Sequence, residues 1–197
     1  MLIAAALLIL LAMASIAWAG GQGRTLNLDP SAASQQVGPF LQILENPGAP
    51  LGIDQAASPQ HAARFADNPR RTLYLKPSDY PLWVRFSLKA ASGQDVDRLT
   101  GIWHLSLMGP TGPVRCALYI PASAWPAPPP HMHRQGGWYI QEIGWPGGET
   151  GTRGPGGRRT LLLPASQKPV TVYLNLQVAH DQYLPLEVMP GRGLVPD

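Results

Sequence analysis

The chain has 197 residues, 14% of them charged, and a formal net charge of +3. That length suits one domain with a real core, and a positive excess so small and so scattered excludes a nucleic-acid footprint, so no nucleic-acid partner is expected. Twenty-one glycines and 22 prolines argue against a helical protein and for short strands joined by many turns, while the lone Cys116 leaves no internal disulfide to support the fold.

Residues 1–19 carry no charged side chain, contain an apolar run too short for a bilayer span, and end in Ala17-Trp18-Ala19. This pattern predicts a signal peptide and a periplasmic or secreted mature chain. The usual basic start is missing, so an uncleaved membrane anchor is the alternative. Residues 20–38 are polar and aperiodic, and a flexible arm is expected there. A strand over 40–45 runs into Asn46-Pro47-Gly48, a strong turn signal. Residues 53–65 could form a single helix, with Asp54 or Ser58 as cap and Pro59 in the first turn. A strand over 72–75 follows.

Residues 82–89 alternate without error. Leu82, Val84, Phe86 and Leu88 share one face, and Trp83, Arg85, Ser87 and Lys89 the other. A one-residue slip would expose four apolar groups, each forfeiting about 1.5–3 kcal/mol, so the register is set. A Trp and an Arg on the second face mark either a ligand platform or a covered second core. Further strands are expected over 102–108, 114–120, 138–143, 160–163, 170–179 and 184–188. Proline-rich 121–137 and glycine-rich 144–157 are expected as long loops. In 170–179 the alternation returns, with Val170, Val172, Leu174, Leu176 and Val178 opposite Thr171, Tyr173, Asn175 and Gln177. Eight or nine short strands without helical crossovers predict an all-β, antiparallel β-sandwich over 39–194, with 195–197 as a tail. Cys116 alternates with Val114 and Leu118 and reads as a small buried hydrophobe.

The succession Phe40-Leu41-Gln42-Ile43-Leu44-Glu45-Asn46-Pro47-Gly48, then Tyr80-Pro81-Leu82-Trp83-Val84-Arg85-Phe86-Ser87-Leu88, then Val170 to Gln177 and Leu184-Pro185-Leu186-Glu187-Val188 resembles the type 2 extracellular domain of seven-transmembrane receptors with diverse intracellular signalling modules (7TMR-DISM). The resemblance runs from about residue 36 to about residue 194 and rests on strand patterns. It implies a jelly-roll sandwich like that of carbohydrate-binding modules, acting as a sensor domain in signal transduction for a carbohydrate or other small polar ligand. It also implies membrane helices and a cytoplasmic signalling domain downstream. The sequence stops at Asp197, so the expectation is either a stand-alone domain with a separate membrane signalling partner or a truncated receptor.

Trp83 and Arg85 match the family's Trp-x-Arg pattern. An indole face stacks on the C–H face of a pyranose, and a guanidinium offers five donors to hydroxyls or a carboxylate. The bland reading puts Trp83 under a loop and has Arg85 bond loop carbonyls. His104, Tyr173 and Asn175 join them as candidate ligand-binding residues if their strands share that face, as could Tyr119 and Tyr139. His131-Met132-His133 has metal-ligand spacing but only two strong ligands, so no metal and no cofactor is expected. No Gly-x-Ser-x-Gly occurs and no carboxylate pair stands out, which points to ligand binding by a non-enzyme. A structural or protein-interaction module of the cell envelope is the alternative.

Overall fold

The computed structural model describes residues 24–44, 49–90, 102–107, 114–125, 128, 132–144, 152–153 and 159–191. In chain order the strands are β1 (Thr25–Leu28), β2 (Gln35–Gln36), β3 (Gln42–Leu44), β4 (Ala66–Asp67), β5 (Leu73–Leu75), β6 (Leu82–Ala90), β7 (Ile102–Leu107) and β8 (Val114–Pro121). They continue with β9 (His133–Gln135), β10 (Trp138–Ile143), β11 (Thr152–Arg153), β12 (Arg159–Pro164), β13 (Val170–Val178), β14 (Gln182–Leu184) and β15 (Leu186–Pro190).

One sheet has the order β4-β3-β6-β13-β8-β10-β9, with β1 also on β6; a second has β11-β12-β7-β15-β2; β14 and β5 make a separate two-stranded ribbon. The pairing is antiparallel apart from β1 on β6, which is the expected all-β sandwich. The two sheets face each other across the core. Val84, Phe86, Leu88, Val172, Leu174, Leu176, Cys116 and Leu118 of the first meet Trp103, Leu105, Leu161, Leu163, Leu186 and Val188 of the second. The alternation of 82–89 thus places its aliphatic face inward as the sequence requires, and burial pushes the Cys116 thiol far above its ordinary pKa, keeping it a neutral, inert group.

A buried amide ties the sheets together. Gln141 on β10 donates from Nε2 to the Leu162 carbonyl at 2.7 Å and accepts the Leu162 N–H on Oε1 at 2.8 Å. Its side chain thereby does for β12 what a neighbouring strand would do, leaving no orphan backbone group at that point. At the β9–β10 hairpin, Gly136 adopts φ +57°, the left-handed conformation that a two-residue hairpin loop needs and that glycine adopts without strain.

Several expectations change, and β9 and β11 are short strands inside the stretches 121–137 and 144–157 expected as loops. Within 20–38, Thr25–Leu28 is a strand rather than part of a flexible arm: Leu26 and Leu28 are buried and pair β1 alongside β6. Four alternating residues are too short a signal to stand out from a polar segment, and only the neighbouring strand makes them cohere. The helix over 53–65 is two four-residue turns, Ile53–Ala56 and Pro59–Ala62, because Ser58 is extended at ψ 152° ahead of Pro59, as the proline ring demands of its predecessor. The strand over 184–188 divides at Pro185 into β14 and β15, where the chain leaves the ribbon and enters the second sheet. The expected signal peptide lies outside the described residues. Among the described residues no helix is long and apolar enough to cross a membrane.

Candidate functional site

The outer face of the first sheet gathers four of the five candidate residues. Across β3, β6, β13 and β8 the register sets Leu44 and Asn175 beside Trp83, Gln42 and Tyr173 beside Arg85, and Tyr119 beside Tyr173. Trp83, Arg85, Tyr173 and Asn175 are therefore immediate neighbours, as the period-two reading required. They do not form an open groove. Their exposures are 2%, 8%, 7% and 8%, and residues 51–65 cross over Trp83, Arg85 and Tyr173 as a strap. Ala56 and Phe65, with Leu51, Ile53 and Ala57, pack with Leu44, Trp83, Tyr173, Tyr119 and Trp138 into a second, smaller core.

The strap is anchored by directional contacts. Arg85 donates from Nε to Gln42 Oε1 at 2.8 Å and from Nη2 to the Ala62 carbonyl at 3.0 Å, and its Cζ lies 4.4 Å from the Phe65 ring centroid. Gln42 in turn donates to Asp67 Oδ1 at 2.9 Å, which relays a carboxylate to the guanidinium through a neutral amide. Phe65 meets Tyr173 edge to face at 6.1 Å, and Trp138 Nε1 donates to Asp54 Oδ1 at 2.9 Å. The contacts of Ala62, Phe65 and Asp54 join the strap to the sheet, while Gln42 links Arg85 to Asp67 just beyond the strap's end. The arrangement matches the bland reading of Trp83 and Arg85: a buried aromatic and a guanidinium that bonds loop carbonyl oxygen.

His104 stands apart from the other four candidates, a correction to the shared-face expectation. It lies on β7 in the second sheet, between Leu162 of β12 and Met189 of β15, with the whole core separating it from Trp83. Half-buried, it has an Nδ1 without a partner, and burial holds its pKa below the ordinary value. Tyr139 packs against the core, whereas Trp138 is on the outer face; the run Trp138-Tyr139-Ile140-Gln141 has no clean alternation, so its faces could not be read from sequence. His131 lies outside the described residues. His133 is exposed on β9, and no group of three potential metal ligands occurs among the described residues.

Beside Ala57 of the strap the outer face opens. A cleft of about 740 Å³ runs between Ala57, the Pro121–Ala124 turn and residues 165–169. Trp138 and Tyr173, edge to face at 5.6 Å, line it together with Ser123, Ser166, Lys168 and Thr171. Aromatic carbon together with hydroxyl and ammonium groups forms a surface that can hold a small molecule with both apolar and hydroxylated parts. Trp138 and Lys168 were not foreseen from sequence, since Lys168 sits in a loop with no periodicity to orient it.

The same sandwich agrees with comparison to known proteins. No curated protein matches the chain. The family described as 7TMR-DISM extracellular 2 matches residues 38–190, a span that begins at the turn before β3 and ends with the last residue of β15. The chain belongs to this family of sensor-type extracellular receptor domains.

Proposed function

We propose that the chain is an exported sensor domain that binds a small polar molecule, a carbohydrate or another hydroxyl- or carboxylate-bearing compound, without converting it. The binding position is the cleft beside Trp138 and Tyr173. The observation that carries this reading is the cleft where half-buried Trp138, at the border of the covered aromatic face, meets a rim of Ser123, Ser166, Lys168 and Thr171. Trp83, Arg85 and Asn175 then serve as the floor that holds Tyr173 in place, and a ligand carboxylate or hydroxyl meets Lys168 and the hydroxyl rim. The apolar leader supports export, and the family's setting in receptors with signalling modules supports a membrane signalling partner.

A thermal-shift screen of the mature domain against neutral sugars, uronic acids and other small periplasmic metabolites tests this. A stabilising compound is expected whose effect disappears with Trp138→Ala and weakens with Lys168→Ala. A hit that survives both substitutions places the site elsewhere, turnover of a hit overturns non-enzymatic binding, and a screen without a hit removes support for a small ligand. The strap filling the Trp83 and Arg85 face favours a second reading, a protein-interaction module of the cell envelope, in which that face is scaffold. Recovery of a defined envelope protein by crosslinking through the cleft, with no small-molecule shift, is the result that reading expects.

A further inference from the structure

At the other end of β13 a second cleft, of about 290 Å³, lies where β6 begins. β6 runs between β3 and β13. Its first residue, Leu82, follows Pro81 and pairs with Leu176, and beyond that pair β13 runs on to Val178 with β8 alone beside it. The start of β6 thus leaves one flank of β13 without a neighbouring strand, and the cleft borders the margin of the main core. Leu75 and Leu176 are buried there, whereas Ile43 and Leu82, which pack against the same core, are only half-buried. The rim is polar. Among the described residues that line the cleft, Lys76 is the one Lys, Arg, Asp or Glu, and its Nζ lies 5.8 Å from the Tyr74 ring centroid. Ser78 Oγ accepts the Tyr80 N–H at 3.3 Å, which leaves its own hydrogen to donate.

We propose that this cleft is a second binding site, one that takes a small monocarboxylate with an apolar body, its carboxylate at Lys76 and its hydrocarbon against Leu82 and Leu176. Two features select that class. Half-buried Ile43 and Leu82 leave aliphatic carbon in water at the margin of the core, and covering it is favourable in proportion to the area removed from water. An ionised carboxylate is matched at the rim by the Lys76 ammonium and the Ser78 hydroxyl, and hydrogen bonds to an ionised group are the stronger kind. Asp79, three residues along from Lys76, lines the neighbouring cleft with Pro77 and Ala179, so Lys76 sets the sign of the charge in this one. A body covered in hydroxyls would lose water over the aliphatic floor without gaining partners. The volume is at the lower end for ligand clefts and suits a body of about six to eight carbons. No residue is shared with the Trp138 cleft, so the two sites stand or fall separately.

Calorimetric titration of the purified chain with butanoate, hexanoate and octanoate tests the cleft, with octanamide as the uncharged control. Octanoate is expected to bind, about tenfold more tightly than hexanoate as two further methylenes leave water. Lys76→Gln should weaken octanoate about tenfold and leave octanamide unchanged. Lys76→Arg, which keeps the charge, should retain the acid, and Trp138→Ala should have no effect on it. Because Lys76 is exposed, its variants keep the parent melting temperature. Failure of octanoate to bind at millimolar concentration overturns the proposal. So does binding indifferent to Lys76→Gln, an affinity that stays flat across the chain-length series, or binding lost with Trp138→Ala, which puts the acid in the other cleft.

Discussion

Two antiparallel strand pairs in this molecule carry the same kind of outer face and meet opposite fates. On β6 and β13, Trp83, Arg85 and Tyr173 lie under residues 51–65 and are almost wholly buried. On β5 and β14, Tyr74 and Tyr183, with Arg70 and Lys76 beside Tyr74, lack such a cover and Tyr183 stands in solvent. Alternation tells which residues turn away from the main core. Whether another layer then covers them depends on where a distant segment crosses, and aromatic plus cationic composition is compatible with both outcomes. Aromatics and an arginine on an outer strand face are thus equally the marks of a second core and of a face left open to solvent.

The sharpest test of that contrast is a pair of truncations. Trp83→Ala removes a side chain packed beneath the strap and should cost about 3–5 kcal/mol in urea unfolding. Tyr183→Ala should stay within about 0.5 kcal/mol of the parent. Similar losses for the two would break the comparison by showing that the strap does not seal Trp83. Arg85→Ala comes next. It strands the Gln42 amide oxygen and the Ala62 carbonyl and removes the cation from the Phe65 ring, so a loss of about 1–3 kcal/mol is expected. Amide exchange should accelerate across residues 53–65 and leave β5 and β14 untouched.

A smaller effect should follow Asp54→Ala, which deletes the acceptor of the Trp138 indole N–H. About 0.5–1.5 kcal/mol is expected, with a red shift of tryptophan emission as that end of the strap loosens. Unchanged emission would mean that apolar packing alone seats the strap. The least perturbing test is pH. His104 has its folded pKa lowered by burial from the ordinary 6.5, so below that value the unfolded chain binds the proton more readily. The stability contributed by neutral His104 is complete above about pH 6.5 and declines as pH falls from there through the folded pKa. His104→Gln should flatten that slope in thermal melts without touching either aromatic face. A slope that persists in the variant assigns the titration to another group.

Much of the sandwich could be read in advance, and the reason is local. In 82–89 and 170–178 every second residue is aliphatic, so face, register and strand identity are legible without neighbours. β1 escaped notice because four residues give too little periodicity, and the single helix over 53–65 failed at Pro59, whose ring forces Ser58 extended. The candidate site was legible in part. Trp83, Arg85, Tyr173 and Asn175 are neighbours as their alternation implied, but His104 is on the far sheet, since nothing in Trp103-His104-Leu105 names its partner strand.

The long strands, the inward faces that make the core and the membership of the family were legible in the order of residues alone, because each depends on residues a few positions apart or on their succession along the chain. Folding alone brings residues 51–65 across Trp83 and Arg85, sets Trp138 at one cleft with Lys168, and brings the ring centroids of Tyr74 and Tyr183 to 4.9 Å. Those contacts join segments up to more than a hundred positions apart, and their strength comes from burial and register created by folding itself, for which no local pattern of side chains exists to be read.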